Sequence, residues 1–284
     1  MIRLDAATVL MQWAVGGLLF LWVTTRRREV GIGYGWLLRG VYGVMALGAF
    51  GVGAWIDPVP VREVSALAVA AGAAVALTVS VVRRRAGVAG ERERIERRSA
   101  RVAAMTGIDR RSDGPDPDAP EFPPGLDLIA PVVGIPGLVA AGIAAGDPAL
   151  LSVVRVLVGA AFLGSISDGM LLGHWYLVQP GLARGPLLEM VRWTAIIWPF
   201  EVVALLCPTG MVSVLDGSID DGYGGTLGWF WVACAVATIG LVFVTRAALR
   251  ERYYSAVMAA TGLLYLAILT AFGTDLIARA VLAS

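Results

Sequence analysis

The chain has 284 residues, 57% of them hydrophobic and only 16% charged, with a formal net charge of +1; a soluble domain carries roughly a quarter charged residues. Together with 35 glycines and a mean hydropathy of +0.74, this excludes an ordinary soluble globular domain and points to closely packed helices in lipid. All 23 cations are arginine, so Schiff-base chemistry on a lysine, a retinal linkage included, is excluded as well.

A helix crosses the hydrocarbon core of a bilayer with ~20 mostly apolar residues. Eight stretches reach that length, at about 6–24, 33–55, 64–82, 127–146, 149–173, 187–212, 227–245 and 255–280. The expected fold class is therefore an all-α, polytopic membrane bundle of about eight helices. The first stretch has an acidic start, "MIRLD", and its basic run follows the apolar core. That is the reverse of a signal peptide, so it reads as a retained helix with its N-terminus outside.

Arginine placement sets the expected orientation. Seventeen arginines fall in the loops after the first, third, fifth and seventh stretches, ten of them between Arg83 and Arg111. Only Arg3, Arg62 and Arg279 fall at the opposite ends, beside the acidic run "VLDGSIDDGYGG". The basic side is expected to face the cytoplasm, with both termini on the non-cytoplasmic side of a cytoplasmic (inner) membrane.

The segment 83–126 divides the chain into 1–82, 83–126 and 127–284. Its first part, "RRRAGVAGERERIERRSARVAAM", spaces Glu and Arg three and four apart and reads as a cytoplasmic helix. Its second part, "TGIDRRSDGPDPDAPEFPPG", is rich in Pro, Gly and Asp and reads as a linker. The lipid bilayer is the first expected partner, through basic residues beside anionic headgroups. Other membrane or peripheral subunits are expected to dock through 83–111. No segment is a candidate for binding nucleic acid.

Ionisable residues inside a membrane are costly, at ~2.5–3.5 kcal/mol near the centre on insertion scales, and each needs a partner or a use. The apolar stretches carry Arg39, Arg155, Asp168, Glu189, Arg192 and Glu201. At ~1.5 Å per residue, Arg155 lies ~9 Å and Glu201 ~12 Å below the same boundary. These two are expected to face each other as a buried ion pair. Pro199 should bend its helix beside Glu201 and free the carbonyl of Ala195.

Near the other boundary, "SDGMLLGHWYLVQPGLARGPLLEMVRW" contains the only histidine, His174. Asp168, His174, Trp175, Tyr176, Glu189 and Arg192 are the candidate quinone or proton site. Histidine titrates near neutrality, aromatic rings pack on a quinone headgroup, and a carboxylate exchanges protons. On a regular helix His174 is rotated ~240° from Asp168, so the two should not touch.

A haem held by this chain alone is not expected. One histidine excludes bis-histidine ligation, and Met170 and His174 lie on one helix, not on opposite faces of an iron. Cys207 and Cys234 form no CxxC and no Cys/His cluster, so no metal site is expected and both read as buried structural thiols. No GxSxG, HExxH or Walker motif is present.

The expected function is a membrane subunit of an electron-transfer assembly, contributing to a quinone or proton site. The alternatives are a proton-coupled small-molecule transporter using Arg155 and Glu201, and a non-catalytic anchor for partner subunits.

Overall fold

The computed structural model describes residues 4–106, 115–116, 118–179, 181–207 and 210–283. Ten α-helices follow in order: α1 (Ala6–Thr25), α2 (Ile32–Ile56), α3 (Pro60–Val82), α4 (Ala89–Thr106), α5 (Ile129–Ala144), α6 (Ala149–Val178), α7 (Gly185–Leu206), α8 (Met211–Leu215), α9 (Thr226–Ala248) and α10 (Tyr254–Leu282). No strand occurs among the described residues, and the architecture is an all-α polytopic membrane bundle. Among the described residues, seven helical segments are long and apolar enough to cross a membrane: α1, α2, α3, Pro124–Ala144, α6, α9 and α10. At 22 residues α7 matches them in length, but Glu189, Arg192 and Glu201 set its composition apart.

Local sequence explains where the helices begin. Asp5 accepts hydrogen bonds from the N–H groups of Ala7 and Thr8, a side-chain cap on the first turn of α1. Pro60 opens α3, where its missing N–H has no partner to lose. Arg62, in the same first turn, is buried and holds both Asp5 and Glu63, tying the starts of α1 and α3 together.

One apolar core runs through α1, α2, α3, α5, α6, α7, α9 and α10. The segment 83–126 therefore leaves and rejoins a single bundle. Helix α1 is central and packs against α2, α5, α6 and α7, while the α9–α10 hairpin packs on α6 and α7. The crossing of α1 and α6 is a backbone contact. A Cβ placed on Gly16 would lie 1.8 Å from the Ala160 carbonyl oxygen, and one on Gly164 would lie 2.2 Å from the Gly16 carbonyl carbon. Only glycine permits that approach.

The basic end of the bundle is more ordered in its connections than a linker suggests. Helix α4 covers Ala89–Thr106 and buries none of its residues. Residues 107–114 and 117, part of the expected linker, lie outside the described residues. Beyond them Glu121 receives ion pairs from Arg28 and Arg92, and its carbonyl accepts from Arg83 at 2.9 Å. Arg39 then grips Asp127 with two hydrogen bonds of 2.7 and 2.8 Å, both side chains buried, and its guanidinium lies 4.3 Å from the Phe122 ring centroid. The stretch 121–127 is thus strapped onto α2.

Helix α6 is longer than its apolar run. It continues five residues past Gly173, through the aromatic pair Trp175 and Tyr176, to Val178. Asp168 consequently lies ten residues, or about 15 Å, inside that end of the helix and not at the boundary. Cys234 is a buried free thiol as expected, whereas Cys207 is exposed at the end of α7.

Candidate functional site

Helix α2 presents Tyr34, Leu38 and Tyr42 at intervals of four, all buried, on the face that packs toward α1 and α6. Asp168 meets this face. The Tyr42 hydroxyl donates to Asp168 Oδ1 at 2.5 Å, and the Tyr34 hydroxyl donates to the Asp168 carbonyl oxygen at 3.4 Å. Gly17 makes the route possible, because a Cβ there would lie 2.1 Å from Tyr42 Cζ. Adjacent glycines of α1 therefore do two jobs: Gly16 admits α6, and Gly17 admits the Tyr42 ring.

Asp168 is fully buried, and its Oδ2 has no hydrogen-bond partner. The neighbouring Ser167 hydroxyl is likewise unpartnered. A buried acceptor left unsatisfied costs about 1–3 kcal/mol, and more when charged. Two other buried aspartates are treated differently: Arg39 holds Asp127, and Arg279 holds Asp275 through bonds of 2.7 and 3.0 Å.

A second polar cluster occupies the opposite half of the bundle. Glu201 on α7 is buried, and neither carboxylate oxygen has a hydrogen-bond partner. Arg155 is within electrostatic range of it. No hydrogen bond or ion pair joins the two, however: the Arg155 guanidinium donates to the carbonyls of Ala204 at 2.7 Å and Cys207 at 3.1 Å. The reason is the end of α7, whose last carbonyls have no intrahelical donors and draw the guanidinium instead. The expected Arg155–Glu201 pair is thus replaced by a helix C-terminal cap beside an orphaned acid. Pro199, two residues before Glu201, lies within α7, where it offers no N–H to the Ala195 carbonyl.

Gln12, Asp275 and Arg279 complete this cluster around Gly159. A Cβ there would lie 2.8 Å from Gln12 Nε2, 3.4 Å from Asp275 Oδ1 and 3.5 Å from Arg279 Nη2. Gln12 Nε2 itself donates to the Val156 carbonyl at 2.7 Å. Between the two clusters the hydroxyls of Thr194 and Ser165 are 3.2 Å apart, both buried.

The residues singled out around His174 do not converge. Asp168 lies among the tyrosines of α2. His174 is exposed on the other side of α6, its Nδ1 3.1 Å from the Tyr265 hydroxyl of α10, with the rings perpendicular. Trp175 donates to Gln179 Oε1 at 3.0 Å and leans on the Tyr34 ring. The Tyr176 hydroxyl donates to the Ala183 carbonyl, closing the α6–α7 turn. Glu189 pairs with Arg26 at 2.5 Å and Arg27 at 3.3 Å. Arg192 is exposed in a cleft beside Glu189.

Sequence reasoning missed Tyr34 and Tyr42, because an apolar stretch of α2 gives an aromatic residue no visible partner. It missed the buried role of Arg279, whose i−4 spacing from Asp275 was the available signal. Among the described residues no group of three or more His, Cys, Asp or Glu could hold a metal ion. No protein-family model matches the chain, and no curated protein or solved structure matches it either.

Proposed function

We propose that this chain is a proton-coupled membrane protein in which Asp168 takes up and releases the proton. The observation that carries this reading is the unpartnered Oδ2 of a fully buried aspartate on α6, in a bundle that pairs the buried Asp127 and Asp275 with arginine. Tyr42 fixes Oδ1, so Oδ2 is the oxygen left to carry the proton. Glu201 is also orphaned, and Arg155, in its neighbourhood on α6, lies about 20 Å from Asp168 along that helix. The Thr194–Ser165 hydroxyl pair stands at an intermediate level. Two acids at different depths, with hydroxyls between them, suit a transporter that passes a proton from one half of the membrane to the other. The basic end would then face the cytoplasm of an inner membrane.

A membrane subunit of an electron-transfer assembly is the second reading, favoured by the exposed His174–Tyr265 pair. That pair offers a ring nitrogen and a hydroxyl to a quinone carbonyl from the lipid side. Helix α4, basic and with no buried residue, would be the docking surface for a peripheral subunit in that case.

The test is infrared difference spectroscopy of the full chain in lipid, titrated from about pH 5 to pH 9. The wild type is expected to show a protonated-carboxyl C=O band that titrates and that disappears in Asp168→Asn. Proton flux into liposomes under an imposed potential should fall at least about tenfold in the same variant. A band of undiminished amplitude in Asp168→Asn, once the part that Glu201→Gln removes is set aside, or unchanged flux, overturns the proposal.

A further inference from the structure

At the basic end of the bundle a cleft of about 500 Å³ opens between the end of α1, the start of α7 and the end of α9. Its lining divides by chemistry. Arg27, Arg192, Arg246 and Arg250 form the rim with Glu189, and Leu188, Trp193 and Ile196 form the wall. Glu189 is already matched by Arg26 and Arg27. Among the described residues, Arg192, Arg246 and Arg250 have no carboxylate partner, so the rim holds a surplus of positive charge.

Arg184 builds this arrangement. From the N-cap of α7 its guanidinium donates to the carbonyls of Leu249 at 3.1 Å, Arg252 at 3.0 Å and Tyr253 at 2.9 Å, and to that of Glu251. The turn after α9 is thereby clamped to α7, which holds Arg246 and Arg250 over the cleft facing Arg192. Below the rim an exposed apolar row continues down α7, through Trp193, Ile196, Phe200 and Val203 at spacings of three and four residues. A guanidinium rim above an apolar row is complementary to a phosphate that carries an acyl chain.

We propose that this cleft binds the phosphate headgroup of an anionic phospholipid, with one acyl chain laid along Trp193, Ile196, Phe200 and Val203. Arg192, Arg246 and Arg250 contact the phosphate, and Arg27 is shared between it and Glu189. The apolar row is what argues for a lipid source over free phosphate. This site is separate from Asp168, and neither proposal depends on the other.

The test is native mass spectrometry of the full chain released from detergent, titrated separately with phosphatidylglycerol, phosphatidylcholine and inorganic phosphate. Phosphatidylglycerol is expected to stay bound where phosphatidylcholine does not, and inorganic phosphate at equal concentration should leave it in place. Each arginine near an anionic lipid is worth ~1 kcal/mol, so Arg192→Ala with Arg246→Ala should weaken phosphatidylglycerol about thirtyfold. Arg97→Ala with Arg98→Ala, on α4, should not. Equal binding of both lipids, equal loss in the α4 variant, or displacement by inorganic phosphate overturns the proposal. If the double variant loses its helicity, brominated lipid decides. Brominated phosphatidylglycerol must quench fluorescence that is absent from Trp193→Phe, and must do so more than brominated phosphatidylcholine, or the proposal fails.

Discussion

Tyr42 reaches Asp168 by crossing over α1 at a single residue without a side chain. Its hydroxyl sits 2.5 Å from the carboxylate oxygen, and the space its ring occupies is the space a Cβ on Gly17 would take. Gly17→Ala is therefore expected to push the ring off its position and break the hydrogen bond. Overpacking of this kind costs about 1–3 kcal/mol, readable as a lowered unfolding temperature in detergent. Tyr42→Phe keeps the ring and removes only the hydroxyl, so it should unfold nearer to wild type. Both should alter the Asp168 carboxyl band in the same way. A normal band in Gly17→Ala would show that the ring has another route.

The second relationship to test joins Arg155 and Glu201. Arg155→Met removes the donors that satisfy the Ala204 and Cys207 carbonyls and also removes a positive charge near an orphaned acid. It should destabilise the bundle by about 3–5 kcal/mol, the range for losing one partner of a buried charge arrangement. Glu201→Gln alone should cost less. If the two residues share an electrostatic unit, the double variant will recover about 0.5–3 kcal/mol relative to additivity in a double-mutant cycle of thermal unfolding. Strict additivity would mean that Arg155 serves only as a cap for α7.

The helical class and the basic end were legible because they depend on quantities spread over many residues: runs of apolar side chains, and arginines that accumulate in alternate loops. The helix starts at Asp5 and Pro60 depend on local residues too, but apolar runs alone put the start of α3 near residue 64. What could not be read was which polar residue meets which. Asp168 and Tyr42 are 126 positions apart, and their contact depends on how closely α1 and α6 approach. That approach is encoded in Gly16, Gly17 and Gly164, which look no different from the other glycines of the chain. Depth counting put Arg155 and Glu201 at matching levels, but depth does not reveal that the end of α7 offers carbonyls to the same guanidinium. The aromatic run 174–176 resembled a site because it is concentrated in sequence; on a helix its members point in different directions.

His174 separates the two functional readings. Its ring pairs with Tyr265 on the outside of α6 and makes no contact with the Asp168 cluster. His174→Ala is expected to leave the titrating carboxyl band and the proton flux within about twofold of wild type. If the chain instead serves a quinone, the same variant should lower quinone-dependent electron transfer at least about tenfold, the low end of losses from removing a proton-transfer group being larger still. Measuring both in one preparation assigns His174 to one role or to neither.

Acid sensitivity should appear first at the opposite end of the bundle, in the loop before α9. The carboxylate of Asp221 accepts from the backbone N–H groups of Gly225, Tyr223, Leu227 and Gly228, at distances from 2.8 to 3.4 Å. These donors, Gly225 foremost, hold its carboxyl below the usual aspartate range, since protonation would weaken all four bonds. A carboxylate whose folded pKa is depressed adds stability that is present above its unfolded value, ~3.9, and is lost as pH falls through the folded value. Asp221→Asn is therefore expected to unfold at a lower temperature than wild type near neutrality, and the gap should close as the pH drops below ~4. Asn can still accept one or two of these bonds but carries no charge toward the N-terminus of α9, so the lost part is the charge-dependent one. A gap that stays constant from neutral to acidic pH would show that Asp221 acts only through its shape and hydrogen bonds, and that its ionisation contributes nothing to holding the start of α9.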